Sequence, residues 1–275
     1  MIAQKPSWAG QAVWIDPALY GLTVPLAQRK ASDGLWSIGR GSVVPVTFDK
    51  VLRLFVYWKE DGARTDLDLS CIQYDADWNY VGHVSYTNLA ASGIVHSGDL
   101  QSAPLGAAEF IDITLDQLDP KVAFLVVQVH HYCGLQFGDL ICHAGWMLRE
   151  QASADYKTFD IKTVVNKFDL VGRASYAMPL AVDLRQQRML WTDLYMGGAD
   201  MHSRVERSYG GVAEACREVG RFLETRPVLF ALAELHVEAR GGHLVNDRAA
   251  ADLTIGLADA SIDLGDIGTV LSDFL

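Results

Sequence analysis

Short runs of β-branched and aromatic residues, each followed by turn-forming residues, dominate the chain from about Ser42 to Met196. Such runs are typical of strands, and their regular spacing without an intervening helical pattern favours antiparallel pairing. The sequence therefore predicts a mainly β protein built on an antiparallel β-sandwich. The predicted strands are Ser42–Thr47, Val51–Trp58, Leu67–Tyr74, Val81–Tyr86, Phe110–Thr114, Val122–His130, Ala144–Arg149, Met178–Asp183 and Met189–Tyr195.

The hydrophobic period lengthens after Gly198, where apolar residues recur at steps of three and four. This spacing predicts an amphipathic helix that includes Val212 and Cys216. Pro227 then begins a second apolar helix, which ends near Arg240. Two short helices with one apolar face each need a surface to pack on, so we expect a C-terminal α-helical hairpin docked on the sandwich.

These patterns divide the chain into four segments. Residues 1–37 are expected to form a loop-rich N-terminal segment, and residues 38–197 the sandwich. Residues 198–245 are expected to form the helical hairpin, and residues 246–275 an acidic C-terminal segment. Apolar residues keep a strand-like spacing in that last segment, which favours partial order or docking on a partner. Within the second segment, Phe159–Phe168 is predicted as one short helix.

Charge limits the partners that the chain is expected to have. The 275 residues include 23 Lys and Arg against 34 Asp and Glu, which gives a formal net charge of −11. An acidic chain without a basic run repels phosphate backbones and anionic lipids, so nucleic acid is not expected, whereas metal cations are. No apolar run approaches the roughly 20 residues that a membrane span needs. The N-terminus lacks the pattern of a signal peptide, and the four cysteines match no disulfide framework, so we expect a cytoplasmic protein.

Several oxygen-bearing side chains stand near the ends of predicted strands. Asp66 and Asp68 are two residues apart, so on an extended segment both carboxylates project from one face. Asn88, Asp99 and Glu109 can bring further oxygens to the same place. Like charges side by side are costly unless a cation lies between them, and hard oxygen donors favour calcium over zinc or magnesium. The same pattern is also compatible with a solvated acidic surface.

The order of these motifs resembles that of a known family. The sequence contains, in order, Asp66-Leu-Asp-Leu-Ser70, Tyr86-Thr-Asn-Leu89, His96-Ser-Gly-Asp99, and Glu109 ahead of Ile111-Asp-Ile113. This series is similar to the tellurium-resistance TerD family. Further similarity to larger bacterial TerD-like proteins with an added helical segment is found at Val164–Leu170, Pro179–Asp183 and Trp191–Asp193.

The resemblance, over roughly residues 40 to 240, implies a calcium-binding β-sandwich without a settled enzymatic activity. It implies a role in bacterial stress-response systems, tellurite resistance among them, with another protein of such a system as the partner. Carried over residue by residue, it makes Asp66, Asp68, Asn88, Asp99 and Glu109 the candidate calcium ligands.

Two departures from the family pattern bear on calcium affinity. Leu100–Leu105 stands where the family usually has an Asn and a long acidic loop. His83 stands near a position where the family often supplies another acid. Fewer anionic ligands lower the affinity of a site for calcium.

Two alternatives belong to other classes of protein. One is a hydrolase that uses the soft-donor cluster of His130, His131, Cys133, Cys142 and His143, although its spacing matches no zinc motif. The other is a metal-free structural adaptor, in which the acidic motif only braces loops. The sequence contains neither a nucleophile-elbow motif nor a phosphate-binding loop. We therefore expect binding rather than catalysis.

Overall fold

The structure is a computed structural model that describes residues 2–24, 40–46, 51–150, 159–197, 205–223 and 226–275. Contacts divide the chain into two compact units. The smaller unit comprises Met1–Ser32, Trp36–Val44 and Arg221–Leu275, and the larger comprises Asp33–Leu35 and Pro45–Gly220. Strands predominate in the described residues, and the prediction of a mainly β protein with antiparallel sheets is confirmed.

The elements are numbered in chain order. The strands are β1 (Ala12–Ile15), β2 (Val43–Pro45), β3 (Val51–Lys59), β4 (Asp66–Tyr74), β5 (Tyr80–Val84), β6 (Ala90–Ala91), β7 (Ile94–His96), β8 (Ala107–Ile113), β9 (Phe124–Cys133), β10 (Ile141–Arg149), β11 (Val164–Asp169), β12 (Tyr176–Asp183), β13 (Arg188–Met196), β14 (His243–Leu244), β15 (Leu253–Gly256) and β16 (Ile262–Asp263). The helices are α1 (Val205–Leu223), α2 (Leu229–Ala239) and α3 (Ile267–Thr269), and a π-helical turn follows at Val270–Phe274. Short 3₁₀ turns lie at Ile2–Gln4, Pro17–Gly21, Leu115–Gln117, Phe137–Asp139, Ile161–Thr163 and Arg248–Ala250.

Two antiparallel sheets make up the larger unit. The first has the strand order β11-β10-β3-β8-β7-β6. The second contains the order β13-β12-β9-β4-β5, and β2 spans the division between the two units. That these two sheets form a sandwich stays a prediction.

The apolar runs seen in the sequence explain how β4 and α1 pack. Every residue of β4 is buried, as expected for a strand that is covered on both faces. Ile72 and Tyr74 on one face of β4 pack with Val212 and Cys216 of α1. The Tyr74 hydroxyl also donates a hydrogen bond to the Tyr209 carbonyl at 2.6 Å. The apolar stripe of α1 thus covers part of the second sheet.

One prediction about helices is wrong, and another is not confirmed. The helix predicted over Phe159–Phe168 is wrong, because β11 begins at Val164 and pairs antiparallel with β10. Val164, Val165 and Phe168 are residues that favour a strand once a neighbouring strand is available. The helical hairpin is not confirmed, because most of α1 belongs to the larger unit and α2 belongs to the smaller one.

The smaller unit is built on a sheet that the sequence did not predict. Its strand order is β14-β1-β15-β16, and all three pairings are parallel. The core of this unit combines Trp8 and Val13 with Leu229 and Val237 of α2 and with Phe274 near the C-terminus. The loop-rich and acidic segments of the sequence therefore pair with each other. Among the described helices, none has the length and apolar character that crossing a bilayer requires.

Candidate metal centre

Asp66 and Asp68 begin β4 and lie two residues apart on one face of the strand. β9 pairs with β4 along its whole length, from Asp66 to Tyr74. β5 covers the other side of β4 only from Cys71 onward. From Asp66 to Ser70, the edge of β4 opposite β9 therefore has no neighbouring strand from β5 and is open to side chains from other elements.

Asp99, in the loop between β7 and β8, completes a cluster with these two residues. One carboxylate oxygen from each of Asp66, Asp68 and Asp99 lies within 4.8 Å of the others. Asp66 and Asp68 are each 4% exposed, whereas Asp99 is exposed. In the part of the chain that the structure describes, no other group of three or more His, Cys, Asp or Glu side chains brings its ligand atoms so close. The structure thus brings together three of the five ligands predicted from the sequence.

The electrostatics of the cluster show three acids that lack a full counter-charge. Burial, followed by the charge of Asp99, raises the pKa of Asp66 to about 6. Burial, followed by the charges of Asp66 and Asp99, raises the pKa of Asp68 to about 7. Proximity of like charges and loss of water both disfavour the ionised form of a carboxyl group. A cation among the three oxygens would favour the ionised form of Asp66 and Asp68 and so lower both pKa values.

The polar contacts of Asp66 are also incomplete. Its Oδ1 atom is buried and has no hydrogen-bond partner among the residues that the structure describes. Arg64 Nη2 lies 3.9 Å from Asp66 Oδ2, but Arg64 is largely exposed and its guanidinium donates to Gln101 instead. A buried carboxylate oxygen without a donor is uncommon, since most buried polar atoms are hydrogen-bonded. The donor set, which contains oxygen and neither nitrogen nor sulfur, fits a hard divalent ion.

Glu109 lies beside the cluster but is not one of the three clustered carboxylates. It is completely buried on β8, and its Oε2 atom accepts a hydrogen bond from the Leu69 backbone NH at 2.8 Å. Its Oε1 atom accepts another from the Leu100 backbone NH at 2.9 Å. Burial raises its pKa well above the usual value, and the two backbone donors partly oppose that shift. Glu109 therefore braces the strand and the loop that carry the clustered aspartates, which sequence reasoning did not anticipate.

His96 on β7 supplies the second half of this brace. Its Nδ1 atom accepts a hydrogen bond from the Gly98 backbone NH at 3.0 Å, which leaves the proton on Nε2. The Nε2 atom then donates to the Leu69 carbonyl at 2.9 Å. Burial lowers the pKa of His96, which favours this neutral form. Both backbone polar groups of Leu69 are thus paired with side chains, on the edge of β4 that β9 does not occupy and that β5 does not reach.

Asn88 stands in a tight turn after β5. Its backbone exchanges two hydrogen bonds with Ser85, each of 3.0 Å, and its side-chain amide donates to the His83 carbonyl at 2.7 Å. The side chain thus helps to close the turn. A role for Asn88 or Glu109 as a calcium ligand stays a prediction.

The soft-donor residues are divided between two sheets. His130, His131 and Cys133 lie on β9 of the second sheet, whereas Cys142 and His143 lie on β10 of the first. Burial raises the pKa of the Cys142 thiol far above its usual value, which disfavours a thiolate there. The His143 ring pairs with Asp169 of β11, its Nδ1 atom 2.6 Å from the carboxylate Oδ1.

Comparisons with known proteins include matches to solved structures, among them two crystal structures. The sequence matches no described protein family, and it matches no curated protein. A crystal structure of a protein of unknown function, SAV2460, matches at 19% identity and a TM-score of 0.42, covering 56% of this chain and 92% of that one. A homologue of the telluride resistance protein TerD, SCO6318 from Streptomyces coelicolor A3(2), matches at 16% identity and a TM-score of 0.42, covering 54% of this chain and 91% of that one.

Proposed function

We propose that this chain is a TerD-like, calcium-binding β-sandwich protein that acts in the cytoplasm as a binding or scaffold component of a stress-response system. The observation that carries the calcium proposal is the cluster of Asp66, Asp68 and Asp99, in which a buried oxygen of Asp66 has no hydrogen-bond partner in the described part of the chain. The stress-response role rests on the motif resemblance, and tellurite resistance is one such system.

Calcium is the ion that best suits these ligands. Three carboxylates can supply up to six oxygens, and calcium accepts six to eight oxygens in a flexible arrangement. Magnesium prefers to keep several waters and a strict octahedral geometry, and zinc prefers nitrogen and sulfur ligands. The exposure of Asp99 leaves room for water to complete the coordination shell.

The proposed action of the ion is mechanical rather than catalytic. Asp66 and Asp68 belong to a braced strand, whereas Asp99 belongs to a loop. An ion bound to all three would hold that loop against the strand and would remove the repulsion among the acids. The loop would then present a fixed surface to a protein partner, and loss of the ion would release it.

Isothermal titration of the full chain with calcium chloride tests this proposal. The wild-type protein should bind calcium. Asp68→Asn and Asp99→Asn should each weaken binding at least about tenfold, because each replaces an anionic ligand by a neutral side chain of similar shape. Asp116→Asn is the matched control, since Asp116 is an exposed acid outside the cluster. A parallel titration with magnesium chloride tests selectivity.

Equal calcium heats in the wild type and in both cluster variants would contradict the proposal. If neither calcium nor chelator changes the melting temperature, a metal-free structural adaptor becomes the better explanation of the acidic motif. In that case the braces formed by Glu109 and His96 would hold the loops without an ion.

A further inference from the structure

A second candidate site lies on the first sheet of the larger unit, over β11, β10, β3 and β8. A cavity of about 620 Å³ opens there, and its walls include Phe55, Tyr57, His143, Phe159 and Lys167. Cavities that hold small organic ligands in proteins have volumes of roughly 300–1,000 Å³. This cavity has the same order of size, and none of the three clustered aspartates lines it.

The cavity arises from a cross-strand pattern of large and small side chains. His143 of β10 lies opposite Tyr57 of β3, which lies opposite Ala108 of β8. In the neighbouring row, Gly145 of β10 lies opposite Phe55 of β3. Directly opposed residues in antiparallel strands share a face of the sheet, so this face places Ala108 beside the Tyr57 ring and Gly145 beside the Phe55 ring. Ala108, whose side chain is a single methyl group, lines the cavity beside the Tyr57 ring.

The small residues of this region also fit closely against the rings. A Cβ atom on Gly145 would lie 2.8 Å from the Phe55 ring, and one on Gly106 would lie 2.4 Å from the Tyr57 hydroxyl. Phe159 stands edge-on to Phe55, with the ring centroids 5.2 Å apart. The His143 ring lies nearly parallel to that of Tyr57, at an interplanar angle of 13°. Tyr57, His143 and Phe159 offer ring surface to a ligand with an aromatic body, whereas Phe55 lines the cavity with only 1% of its surface exposed.

Two polar groups set the chemistry at the edge of the cavity. The Lys167 side chain is partly buried, and its ammonium has no hydrogen bond or ion pair with the residues that the structure describes. The His143 Nδ1 atom is held by Asp169 at 2.6 Å, which leaves Nε2 for a ligand. A lysine ammonium beside apolar rings is a natural partner for an anionic group.

We infer that this cavity binds a small molecule with a flat aromatic body and one acidic group, such as an aromatic carboxylate or sulfonate. The aromatic body packs among Phe55, Tyr57 and Phe159, and the acidic group pairs with Lys167. In a chain with a formal net charge of −11, this recognition depends on a local cation rather than on the overall field.

A matched pair of fluorescent probes tests the inference on the full chain. Anilinonaphthalene sulfonate has the required aromatic body and acidic group, whereas N-phenylnaphthylamine has the same rings without the acid. Lys167→Met should weaken sulfonate binding by at least about fivefold and leave the neutral probe unchanged, as expected for loss of one partly exposed ion pair. Lys121→Met, which removes an exposed lysine outside the cavity, should change neither.

A filling variant tests the location. Ala108→Trp should abolish binding of both probes, because its side chain would occupy the space between the rings. If that variant does not give the wild-type circular dichroism and melting curve, Phe159→Ala, which removes an exposed wall of the cavity, replaces it and should weaken both probes. The inference would be overturned if wild type and Lys167→Met bound the sulfonate equally well. It would also be overturned if the cavity variant left sulfonate binding unchanged.

Discussion

Arg53 of β3 and Asp112 of β8 lie directly opposite each other and form a bidentate ion pair in the protein interior. The guanidinium Nε and Nη2 atoms lie 2.5 and 2.7 Å from the two carboxylate oxygens. Arg53 is completely buried and Asp112 is 3% exposed. The Arg53 guanidinium also lies over the Phe110 ring, 4.8 Å from its centroid. A charged pair thus joins two central strands of the sheet that carries the cavity.

Removal of one partner of this pair should be strongly destabilising. Arg53→Met leaves Asp112 buried without its counter-charge, and breaking such a pair typically costs about 3–5 kcal/mol. We expect urea unfolding to show a loss of that order. The double variant Arg53→Met, Asp112→Leu should regain part of the lost stability, since it removes the buried Asp112 carboxylate as well. A double variant as unstable as the single one would contradict this explanation.

The buried carboxylate of Glu109 should matter for stability with or without calcium. Glu109→Ala leaves the backbone NH groups of Leu69 and Leu100 without acceptors, and each buried donor left unsatisfied costs about 1–3 kcal/mol. The measurement is the free energy of unfolding in urea, with chelator and then with calcium. Glu234→Ala, at an exposed position of α2, is the control and should have little effect. If Glu109 acted only as a calcium ligand, its loss would not matter in chelator.

The raised pKa values of Asp66 and Asp68 predict how stability depends on pH. Both values, about 6 and about 7, lie above the ordinary value of 3.8, so the calcium-free folded state holds protons that the unfolded chain releases. Stability from these groups is therefore greatest at low pH and declines as the pH rises from about 4 to about 8. Calcium binds the ionised form, so its addition should raise the melting temperature more at pH 8 than at pH 5.

Thermal unfolding at the two pH values, with calcium and with chelator, checks this prediction. Asp68→Asn should flatten the pH dependence in chelator, because it removes the group whose pKa is raised further. A calcium effect of equal size at both pH values would count against ionised Asp66 and Asp68 as the binding groups.

A side chain at Gly106 should cost stability for two reasons. Its φ of +95° is unfavourable for other residues, and a Cβ there would lie 2.4 Å from the Tyr57 hydroxyl. Gly62 has a φ of +80° but no atom within 4 Å of such a Cβ. Gly106→Ala should therefore lower the melting temperature more than Gly62→Ala, which bears only the backbone strain. Similar losses in the two variants would show that contact with Tyr57 is unimportant.

The strands of the larger unit could be predicted because their signals are local. Runs such as Val51–Trp58 and Leu67–Tyr74 combine β-branched and apolar residues over the length of a buried strand. The parallel sheet of the smaller unit could not be predicted in this way. Val13 of β1 pairs with Leu244 of β14 and Leu253 of β15, and no short-range pattern links residues so far apart in sequence.

The candidate site was predictable in part for a similar reason. Asp66 and Asp68 share a strand face by period alone, and the motif order identified Asp99 as their companion. The direction of the Glu109 carboxylate depends on which backbone donors the fold leaves unpaired nearby. The sequence gives the residue type at position 109 but not the backbone donors near it. It therefore could not predict that the Glu109 carboxylate accepts hydrogen bonds from the Leu69 and Leu100 backbone NH groups.

The paired backbone of Leu69 has a further consequence for association between chains. β5 does not extend along β4 as far as Leu69. Without Glu109 and His96, the backbone NH and carbonyl of Leu69 would be available at this edge to an extended segment of another chain. Unpaired groups of this kind act as templates for aggregation and for domain swapping. Glu109 and His96 already occupy both groups, so an intruding strand would have to displace a buried acid and a buried imidazole before it could add to the sheet.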